Sequence, residues 1–450
     1  MKPSFRVYLE VEILVRELDG RLLLAGHLIE KGFSVVIGAR SEIRDLASQD
    51  WGAVIILKGL NSNNADFYER CRERKHIIFV QDVEGSVYLE DIEAELRSSY
   101  PEDVIQHTHG IFLSGPSLQE AIHERLNYID TAKLVVSGDP RFDLLKEKYR
   151  PYYVNSPEKI RTEQKTYVLI NTNFGVANPR MGAAKLWQYV ISNPNFSKEK
   201  RRKHLLRMSL IDKVMPAFIS AVEKLAAEHL NINWLLRPHP SEDLSIYNTV
   251  FDSYSNVVVS NKGSVVDSII GAKFIIHFDC TTAIEGVWAG KRAISFLPFA
   301  EASLMSWLPV LLSAQTKNFD ELSNMVRNTL LDRKNLPEPD NAALKTADGF
   351  LRGVTNAAAE TIAEVIESLD LQKNASSSLK KEVPHNNFIM KARRLFDDAR
   401  NRSSDYKFHY IELNNIVARC VALRELDNLR SPINGRQISG RLVEIWGEAN

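Results

Sequence analysis

The sequence predicts an α/β protein with two Rossmann-like, doubly wound domains, and three observations support this fold class. Short runs rich in valine, isoleucine and leucine alternate with longer helical patterns, as they do in βαβ units. These runs fall into two sets that flank the polar, proline-containing segment Tyr149–Lys165. The length of 450 residues exceeds what one ordinary core needs and fits two domains with an appendage.

Each domain is predicted to contain one set of parallel strands. The first set consists of Val7–Val11, Ser34–Ile37, Ala53–Leu57, His76–Val80, Gly110–Leu113 and Leu134–Val136. The second set consists of Tyr167–Ile170, Asn233–Leu236, Val257–Val259, Phe274–His277 and Ala293–Phe296. The two doubly wound domains are expected to face each other across a cleft, and a different pairing of two such domains is the alternative.

The polar segments set the predicted domain boundaries. The first domain covers residues 1–155, and the second covers 156–371 and ends in a long crossover helix, Asn356–Leu371. Residues 372–387 are rich in Ser, Lys and Asn and are predicted to form a flexible linker. Residues 388–450 recover helical periodicity, which predicts a C-terminal helical appendage.

The overall charge and the cysteine content exclude several classes of protein. Lys+Arg and Asp+Glu both number 57, so no global basic excess favours a nucleic-acid partner. Three scattered cysteines are too few for a disulfide framework or a thiolate metal site, which favours a reducing, cytoplasmic compartment. The N-terminal residues include Glu10 and Glu12 and do not resemble a signal peptide, and no apolar run is long enough to cross a bilayer.

Membrane contact is therefore expected only at a surface. The predicted helical tail carries Lys391, Arg393 and Arg394, which either touch anionic lipid or belong to a solvated helix face. Contact with an assembly complex through the same tail is the other expected role. The histidines do not follow a zinc-binding spacing, so no metal site is expected from His76, His107, His109 and His123.

The segment Arg237-Pro238-His239-Pro240 is the most informative motif of the chain. It directly follows an apolar predicted strand, and its two prolines end the strand and fix an extended turn. Arg237 and His239 then form a cation pair at the carboxyl end of a strand, which suits a phosphate group. A turn with a solvated arginine and a capping histidine is the alternative.

A second candidate anion site lies in the segment 275–286. There an apolar strand is followed by Thr281 and Thr282 and by a helix that begins near Glu285. Hydroxyls and unpaired N–H groups at a helix start bind anions, and Glu285 would accept hydrogen bonds from ribose hydroxyls. A capping box between Thr282 and Glu285 is the alternative, and the two interpretations are compatible.

Two further loops follow predicted strands of the second domain in the same way. Asn171, Thr172 and Asn173 precede Gly175, and small polar residues with a glycine allow the backbone to approach a ligand. A later loop contributes two more polar candidates, Asn261 and Ser264. Four such loops at the carboxyl ends of strands predict a nucleotide site on the second domain.

The first domain carries candidate residues for acid–base chemistry and for binding an acceptor. Asp82 and Glu84 follow a predicted strand, and a partly buried carboxylate there would act as general base; a solvated turn acid is the alternative. Glu17, Asp19 and Arg21 follow the first strand, where the charges are too dense for a buried face. They predict either acceptor binding or a surface salt-bridge cluster.

These motifs together resemble the bacterial surface carbohydrate biosynthesis proteins. The similarity covers about residues 5–370, with the tail outside it, and rests on Val11–Ile13, Arg16–Asp19, Arg21–Ala25, Asp82–Gly85, Gly138–Asp143, Arg237–Pro240 and Thr281–Glu285. That family is related to GT-B glycosyltransferases that use CMP-activated acidic sugars, among them transferases of Kdo (3-deoxy-manno-octulosonate) and polysialyltransferases. Polyglycerol-phosphate synthases that use CDP-glycerol share similar elements.

The resemblance implies specific roles for several residues. In the CMP-sugar enzymes an acidic-acidic-glycine motif supplies the base, which corresponds to Glu84 here. A histidine-proline motif binds the cytidine phosphate, which corresponds to His239 with Pro240, and a hydroxyl pair holding the phosphate corresponds to Thr281 and Thr282. Val83 stands where the first acid of the base motif would be, so Asp82 is the alternative base.

The sequence therefore predicts a cytoplasmic GT-B glycosyltransferase of capsule or lipopolysaccharide biosynthesis. It would transfer Kdo or a similar ulosonic acid from a CMP-sugar to a glycan or glycolipid acceptor, without a metal or other cofactor. The enzymatic alternatives are glycerol phosphate transfer from CDP-glycerol, use of a UDP-sugar, and a hydrolysing epimerase. A non-catalytic scaffold of a polysaccharide assembly complex is the alternative from another class.

Overall fold

The computed structural model describes residues 5–60, 64–82, 96–97, 99–154, 167–193, 196–332, 336–352, 357–369, 408 and 410–447. The chain divides into two compact units. The first unit comprises Met1–Gly85, Glu93–Tyr152 and Asp348–Asn450, and the second comprises Ser86–Ile92 and Tyr153–Ala347. Each unit is built on a sheet of mainly or wholly parallel strands, so the predicted fold class is confirmed.

Each predicted strand is present, and three strands appear that the sequence did not reveal. The strands are β1 (Arg6–Val11), β2 (Ser34–Ala39), β3 (Val54–Leu57), β4 (Ile77–Gln81), β5 (Gly110–Leu113), β6 (Leu134–Val136), β7 (Tyr167–Asn171), β8 (Asn233–Arg237), β9 (Val257–Val259), β10 (Ala272–His277), β11 (Ala293–Phe296), β12 (Ala314–Thr316), β13 (Ile433–Ser439) and β14 (Leu442–Gly447). The unpredicted strands are β12, β13 and β14, because β12 is very short and the last two carry polar residues at many positions.

The described helices connect and cover these strands. They are α1 (Leu14–Glu30), α2 (Arg40–Ala47), α3 (Ala65–Glu73), α4 (Glu102–Ile105), α5 (Pro116–Arg125), α6 (Pro140–Asp143), α7 (Arg150–Val154), α8 (Ala183–Ser192), α9 (Lys198–Glu228), α10 (Leu244–Phe251), α11 (Val265–Gly271), α12 (Thr282–Trp288), α13 (Trp307–Leu311), α14 (Phe319–Leu330), α15 (Asn341–Phe350), α16 (Ala358–Glu367) and α17 (Leu413–Leu426). No helix within these described ranges is long and apolar enough to cross a bilayer.

The sheet of the first unit has the strand order β13-β14-β2-β1-β3-β4-β5-β6. Strands β1 to β6 are parallel, and β3 is buried along its whole length, as expected for a strand covered on both faces. Strand β2 lies on one side of β1 and strands β3 to β6 lie on the other side, so the strand order reverses between β1 and β3. This switch point places the residues after Val11 and Leu57 at the edge where such sheets bind ligands.

The C-terminal segment differs from the predicted helical appendage. Helix α17 packs against α1, and β14 pairs in antiparallel fashion with β2, so the hairpin β13–β14 extends the sheet of the first unit. Gly38 of β2 permits this close approach, because a Cβ atom there would lie 2.3 Å from the carbonyl oxygen of Arg441. Residues 442–445 of β14 are buried, so this strand belongs to the core of the first unit, whereas β13 has no buried residue.

Helix α16 belongs to the first unit, whereas the predicted boundary at residue 371 placed it in the second domain. Helix α16 packs against α1 and α6, and the Ala359 N–H donates to the Asp143 carboxylate at 2.9 Å. These contacts place the described residues after Asp348 in the first unit. The predicted linker at 372–387 lies outside the described residues.

The second unit has the strand order β12-β11-β10-β7-β8-β9, and all neighbouring strands are parallel. If the six strands of this unit are numbered 1 to 6 in chain order, the strand order is 6-5-4-1-2-3. This is the order of a dinucleotide-binding Rossmann sheet. The long helix α9 contributes Phe218 and Leu225 to a core that also contains Trp234 and Phe274. The connections reverse between β7 and β10, which defines the switch point of this sheet.

Candidate functional site

The switch point of the second unit brings together the ends of β7 and β10. Asn171 is the last residue of β7 and lies beside His277, the last residue of β10, in the register of the two strands. Asn171 is only 3% exposed, and its Oδ1 atom has no hydrogen-bond donor among the described residues. Because buried polar atoms normally have a partner, this oxygen is suited to accept a hydrogen bond from a ligand hydroxyl or amino group.

Arg237 ends β8 and is a buried cation. Its Nη1 and Nη2 atoms donate to the carbonyl oxygens of Lys262 and Gly263, both at 2.6 Å, and hold the loop after β9. It makes no ion pair among the described residues. Burial therefore lowers the pKa of Arg237 to about 10, although the more distant Tyr167, Asp267 and Glu285 act in the opposite direction.

His239 is half-buried two residues after β8. Its Nδ1 atom lies 2.7 Å from the Ser241 hydroxyl and accepts a hydrogen bond from the Ser241 N–H at 3.2 Å. Since Nδ1 accepts from a backbone N–H, the neutral ring carries its proton on Nε2. The ring is thus oriented with Nε2 as the donor nitrogen.

Glu242 is a buried carboxylate that sequence reasoning missed, although it lies two residues beyond the Arg-Pro-His-Pro motif. It accepts hydrogen bonds from the Thr172 hydroxyl at 2.9 Å, from the His239 N–H at 3.0 Å and from the Tyr247 hydroxyl. Burial raises the pKa of Glu242, while these donors and the Phe174 N–H partly offset the increase. Glu242 therefore joins the loop after β7 to the loop after β8.

The contact between the loops after β7 and β8 also explains the positions of Thr172 and Gly175. Thr172 is buried, and its hydroxyl serves Glu242, so its side chain holds the loop. Gly175 allows the two loops to approach, because a Cβ atom there would lie 2.3 Å from the Ser241 hydroxyl oxygen. Asn173 and Pro240 are half-buried in these loops.

The loop after β10 leads into α12 without the expected capping box. Thr281 occupies the N-cap position and makes no side-chain cap hydrogen bond, while Thr282 is already the first helical residue. Thr281 is half-buried, Thr282 accepts a hydrogen bond from the Cys280 thiol, and Glu285 is buried one turn into the helix. The Ala283 and Ile284 N–H groups of this helix start donate to the carbonyl oxygens of Cys280 and Thr281, at 3.1 and 3.0 Å.

His277 has a structural role at this edge. Its Nδ1 atom accepts from the Cys280 N–H at 3.2 Å, and its Nε2 atom lies 2.8 Å from the Ser313 hydroxyl, which itself donates to the Pro309 carbonyl. Burial lowers the pKa of His277 to about 3. The imidazole is therefore neutral at physiological pH and adds no positive charge to the site.

Asp279 is a second residue that the sequence did not reveal. It is fully buried, and its Oδ2 atom accepts from the Ser306 N–H at 3.0 Å and pairs with Arg207 at 2.9 Å. Its Oδ1 atom has no hydrogen-bond donor among the described residues. The strand end at β10 thus carries another buried acceptor atom.

The loop after β9 contains the last two predicted nucleotide ligands. Ser264 is the N-cap of α11 and accepts a hydrogen bond from the Val266 N–H at 3.2 Å. Asn261 is half-buried in the loop whose carbonyl groups bind Arg237. Four loops at one sheet edge therefore hold the predicted residues of the second unit.

The first unit has a small pocket, partly open to solvent, with a cavity volume of about 10 Å³, at the carboxyl ends of its strands. It is lined by Glu17, Gly20, Arg21, Lys58, Gln81, Asp139, Pro140 and Arg141. Two of the three predicted acceptor-binding residues, Glu17 and Arg21, lie here. The dense charges of this segment are buried, contrary to the expectation of an exposed cluster.

The carboxylates that line this cavity are each paired with a cation. Lys58 Nζ lies 2.8 Å from Glu17 and 3.0 Å from Glu12, and Arg141 lies 2.7 Å from Asp139. Burial raises the pKa of Glu17, but Lys58 and the Glu12 N–H outweigh it, so the net pKa is lowered. The charge of each acid here is balanced by a neighbouring cation.

Arg21 and Asp19 are separated by the folding of α1. Arg21 donates to the Glu10 carbonyl at 3.1 Å and to the Gln81 side chain. Asp19 instead accepts from Tyr152 at 2.6 Å and pairs with Arg419 of α17 at 2.5 Å. Asp19 thus anchors the C-terminal helix and is not among the residues that line the cavity.

Of the two predicted base residues, Asp82 lies among the described residues and Glu84 does not. Asp82 is buried and accepts a hydrogen bond from the Tyr100 hydroxyl. Glu84 lies outside the described residues, so its assignment stays a prediction. Among the described residues, no group of three or more His, Cys, Asp or Glu side chains is arranged to hold a metal ion.

No family model matches the chain, and no curated protein matches it. Among solved structures, it is similar to the complex of S. aureus MnaA with UDP, at 11% sequence identity over 82% of this chain and 96% of that chain, with a TM-score of 0.46. It is similar to the UDP-GlcNAc 2-epimerase from Neisseria meningitidis bound to UDP-GlcNAc, at 10% identity over 80% and 98%, with a TM-score of 0.45.

The wall teichoic acid polymerase TagF is similar at 10% identity over 83% of this chain and 90% of that chain, with a TM-score of 0.45. The named relatives thus include epimerases and a polymerase. Values this low assign no activity to this chain. Its function is therefore argued from its own residues.

Proposed function

We propose that the protein is a GT-B glycosyltransferase of bacterial surface polysaccharide biosynthesis that uses a CMP-sugar donor. The observation that carries this proposal is Arg237, a buried guanidinium with no ion pair among the described residues, at the ligand-binding edge of a Rossmann-like sheet. A bound phosphate would supply the missing negative charge. Kdo or a similar ulosonic acid is the proposed sugar, on the resemblance of the motifs described above.

The residues around the switch point have distinct proposed roles in binding CMP. Arg237 and His239 would stabilise the phosphate, and Asn171 would accept a hydrogen bond from the nucleoside. Further contacts are proposed for Asn173, Pro240, Asn261, Ser264, Thr281, Thr282 and Glu285. Thr172 would act through Glu242, which fixes the loops that carry the other groups.

Departure of CMP is the step that these residues would assist. As the bond to the sugar breaks, negative charge grows on the phosphate, and fixed donors aimed at that charge lower the barrier. The His239 ring, with Nε2 as its donor nitrogen, would be one such donor, and the Arg237 N–H groups that do not donate to the Lys262 and Gly263 carbonyls would be others. The proposal assigns the general base to Glu84 or Asp82 and contacts with the glycan acceptor to Glu17 and Arg21.

Calorimetric titration with CMP tests the nucleotide site directly. The wild-type protein is expected to bind CMP, and His239→Ala is expected to weaken binding by about tenfold or more, because a charge-assisted hydrogen bond contributes roughly 1.5–3 kcal/mol. The matched control is His123→Ala, which removes an exposed histidine of α5 in the first unit. Equal CMP affinity of His239→Ala and the control would refute the phosphate role of His239.

Incubation with individual donors separates the proposed reaction from its alternatives. Release of CMP from CMP-Kdo in the presence of a glycan acceptor supports the proposal. Consumption of CDP-glycerol indicates glycerol phosphate transfer, and release of UDP from a UDP-sugar without an acceptor indicates a hydrolysing epimerase. A protein that binds none of these nucleotides would be a scaffold, and the proposal would be wrong.

A further inference from the structure

The second unit presents apolar side chains to solvent on α8 and on the start of α9. Trp187, Tyr189 and Ile191 are 43%, 53% and 60% exposed, and Leu205 and Leu206 are exposed on α9. Together with the basic residues of 185–203, they are called here the basic-aromatic surface. A cluster of large exposed apolar residues on a folded unit indicates an interaction site.

The apolar side chains of α8 follow the helical repeat. Ala183, Trp187 and Ile191 are spaced four residues apart and therefore lie on one face, and all three are exposed. Only Val190 of α8 is buried against the unit. Leu186 and Val190 therefore face the unit, and a second apolar stripe, formed by Ala183, Trp187 and Ile191, lies in solvent.

The segment 181–206 carries a strong excess of positive charge. Residues 181–206 contain six Lys or Arg and one Glu, a net charge of +5, in a chain whose total formal charge is zero. The single acid, Glu199, lies 3.6 Å from Arg202. Five of the six basic residues follow α8 closely, at Lys198 and 200–203.

Aromatic contacts connect the apolar part to the basic part. Phe196 meets Tyr189 edge to face at a centroid distance of 5.7 Å and stacks on His204 at 4.8 Å. The Lys200 ammonium lies 5.3 Å from the centre of the Phe196 ring, and Arg201 donates to the Asn193 carbonyl at 2.9 Å. The end of α8 and the first two turns of α9 therefore form one continuous surface.

We propose that the basic-aromatic surface binds an anionic phospholipid membrane. Tryptophan and tyrosine prefer the interface between lipid and water, and lysine and arginine beside them attract acidic headgroups. An amphipathic helix with exposed apolar residues inserts shallowly into that interface and does not span it. This surface is separate from the predicted tail residues Lys391, Arg393 and Arg394, which lie outside the described residues.

Vesicle flotation with the full-length chain tests the proposal. Wild-type protein is expected to float with vesicles that contain phosphatidylglycerol and to remain in solution with pure phosphatidylcholine. Trp187→Ala with Ile191→Ala is expected to reduce binding about tenfold, because buried apolar area is lost. Lys198→Gln with Arg202→Gln is expected to reduce it by a similar factor and to weaken its salt dependence.

Two matched controls define specificity. Lys213→Gln removes an exposed charge farther along α9, and Leu230→Ala removes an exposed apolar side chain elsewhere in the unit. Both are expected to float like the wild type. Each variant is also titrated with CMP, so failure of the nucleotide site is distinguished from failure of membrane binding.

Three outcomes would overturn the proposal. The first is wild-type protein that does not float with acidic vesicles. The second is equal flotation of the two double variants and the controls. The third is a change of oligomeric state in Trp187→Ala with Ile191→Ala, measured by light scattering, without any change in flotation, which would assign the surface to a second copy of the chain.

Discussion

The two units share one architecture but treat charge differently at the ligand-binding edge of the sheet. In the first unit, Lys58 is paired with Glu12 and Glu17, and Arg141 with Asp139. In the second unit, Arg237 contacts only carbonyl groups among the described residues. The first edge therefore pairs its carboxylates with cations, although among the described residues its Arg21 donates only to the Glu10 carbonyl and the Gln81 side chain. At the second edge, Arg237 makes no ion pair among the described residues.

This difference assigns a role in folding to the paired charges of the first unit and a role in ligand binding to Arg237 of the second unit. Removing one member of a buried ion pair leaves the other charge without a partner, so paired charges are needed for the stability of the fold. A buried cation without an anion lowers stability until a ligand supplies the charge, and sites of that kind are common where proteins bind phosphate. We therefore expect substitution of a paired charge at the first edge to affect mainly folding, and substitution of Arg237 to affect mainly binding.

Removal of residues 410–450 is expected to produce the largest effect. The deletion exposes the face of α1 that packs on α17 and the edge of β2 that pairs with β14. Seven buried apolar side chains are lost, Ile411, Ile416, Cys420, Leu423, Leu442, Val443 and Ile445, which corresponds to more than about 5 kcal/mol.

Amide hydrogen exchange measures this effect region by region. Protection is expected to fall in β1, β2 and α1, while the second unit keeps its protection and its binding of CMP. Unchanged protection in the first unit would show that the tail is a dispensable appendage.

Substitution of methionine for Lys58 and for Arg237 tests the difference between the two sheet edges directly. Lys58→Met leaves Glu12 and Glu17 without their shared cation and is expected to lower the free energy of unfolding by about 3 kcal/mol without affecting CMP binding. Arg237→Met is expected to destabilise less and to weaken CMP binding by about tenfold or more. Urea denaturation and calorimetry measure the two quantities. If both variants lose stability equally and bind CMP equally, the distinction between the edges is wrong.

The smallest expected effect concerns the acid sensitivity of the first unit. Asp427 accepts hydrogen bonds from His27 at 2.9 Å and Tyr149 at 2.8 Å and pairs with Lys148 at 2.6 Å. Burial raises its pKa, but these donors outweigh it and lower the pKa from 3.8 to about 2. Because the folded pKa is depressed, the stabilisation is complete above about pH 4 and is lost as pH falls toward 2.

The contribution is about 1 kcal/mol after allowance for solvent screening. Asp427→Asn is expected to remove this part of the pH dependence, measured as the urea midpoint between pH 4 and pH 2. The exposed Asp252→Asn serves as the control and is expected to titrate like the wild type. An identical pH profile for Asp427→Asn and the wild type would contradict the assignment.

The sequence by itself determined the two sheets, because continuous apolar runs predict buried parallel strands whatever they pair with. It also located Arg237 and His239 at a strand end, since two prolines must stop the strand. Only the tertiary structure decided which partners those groups have. Glu242 binds Thr172, Asp279 pairs with Arg207, and Asp19 pairs with Arg419; the partners are far apart in the chain, and no local pattern records these contacts.

The C-terminal hairpin shows the same limit of local patterns. Its strands carry alternating polar residues, and their pairing with β2 depends on Gly38, about 400 residues earlier in the chain. Local periodicity depends only on neighbouring residues, and here it predicted a helical appendage where the structure has a hairpin. The register of an added strand and the balance of buried charges depend on which surfaces meet, and folding alone brings those surfaces together.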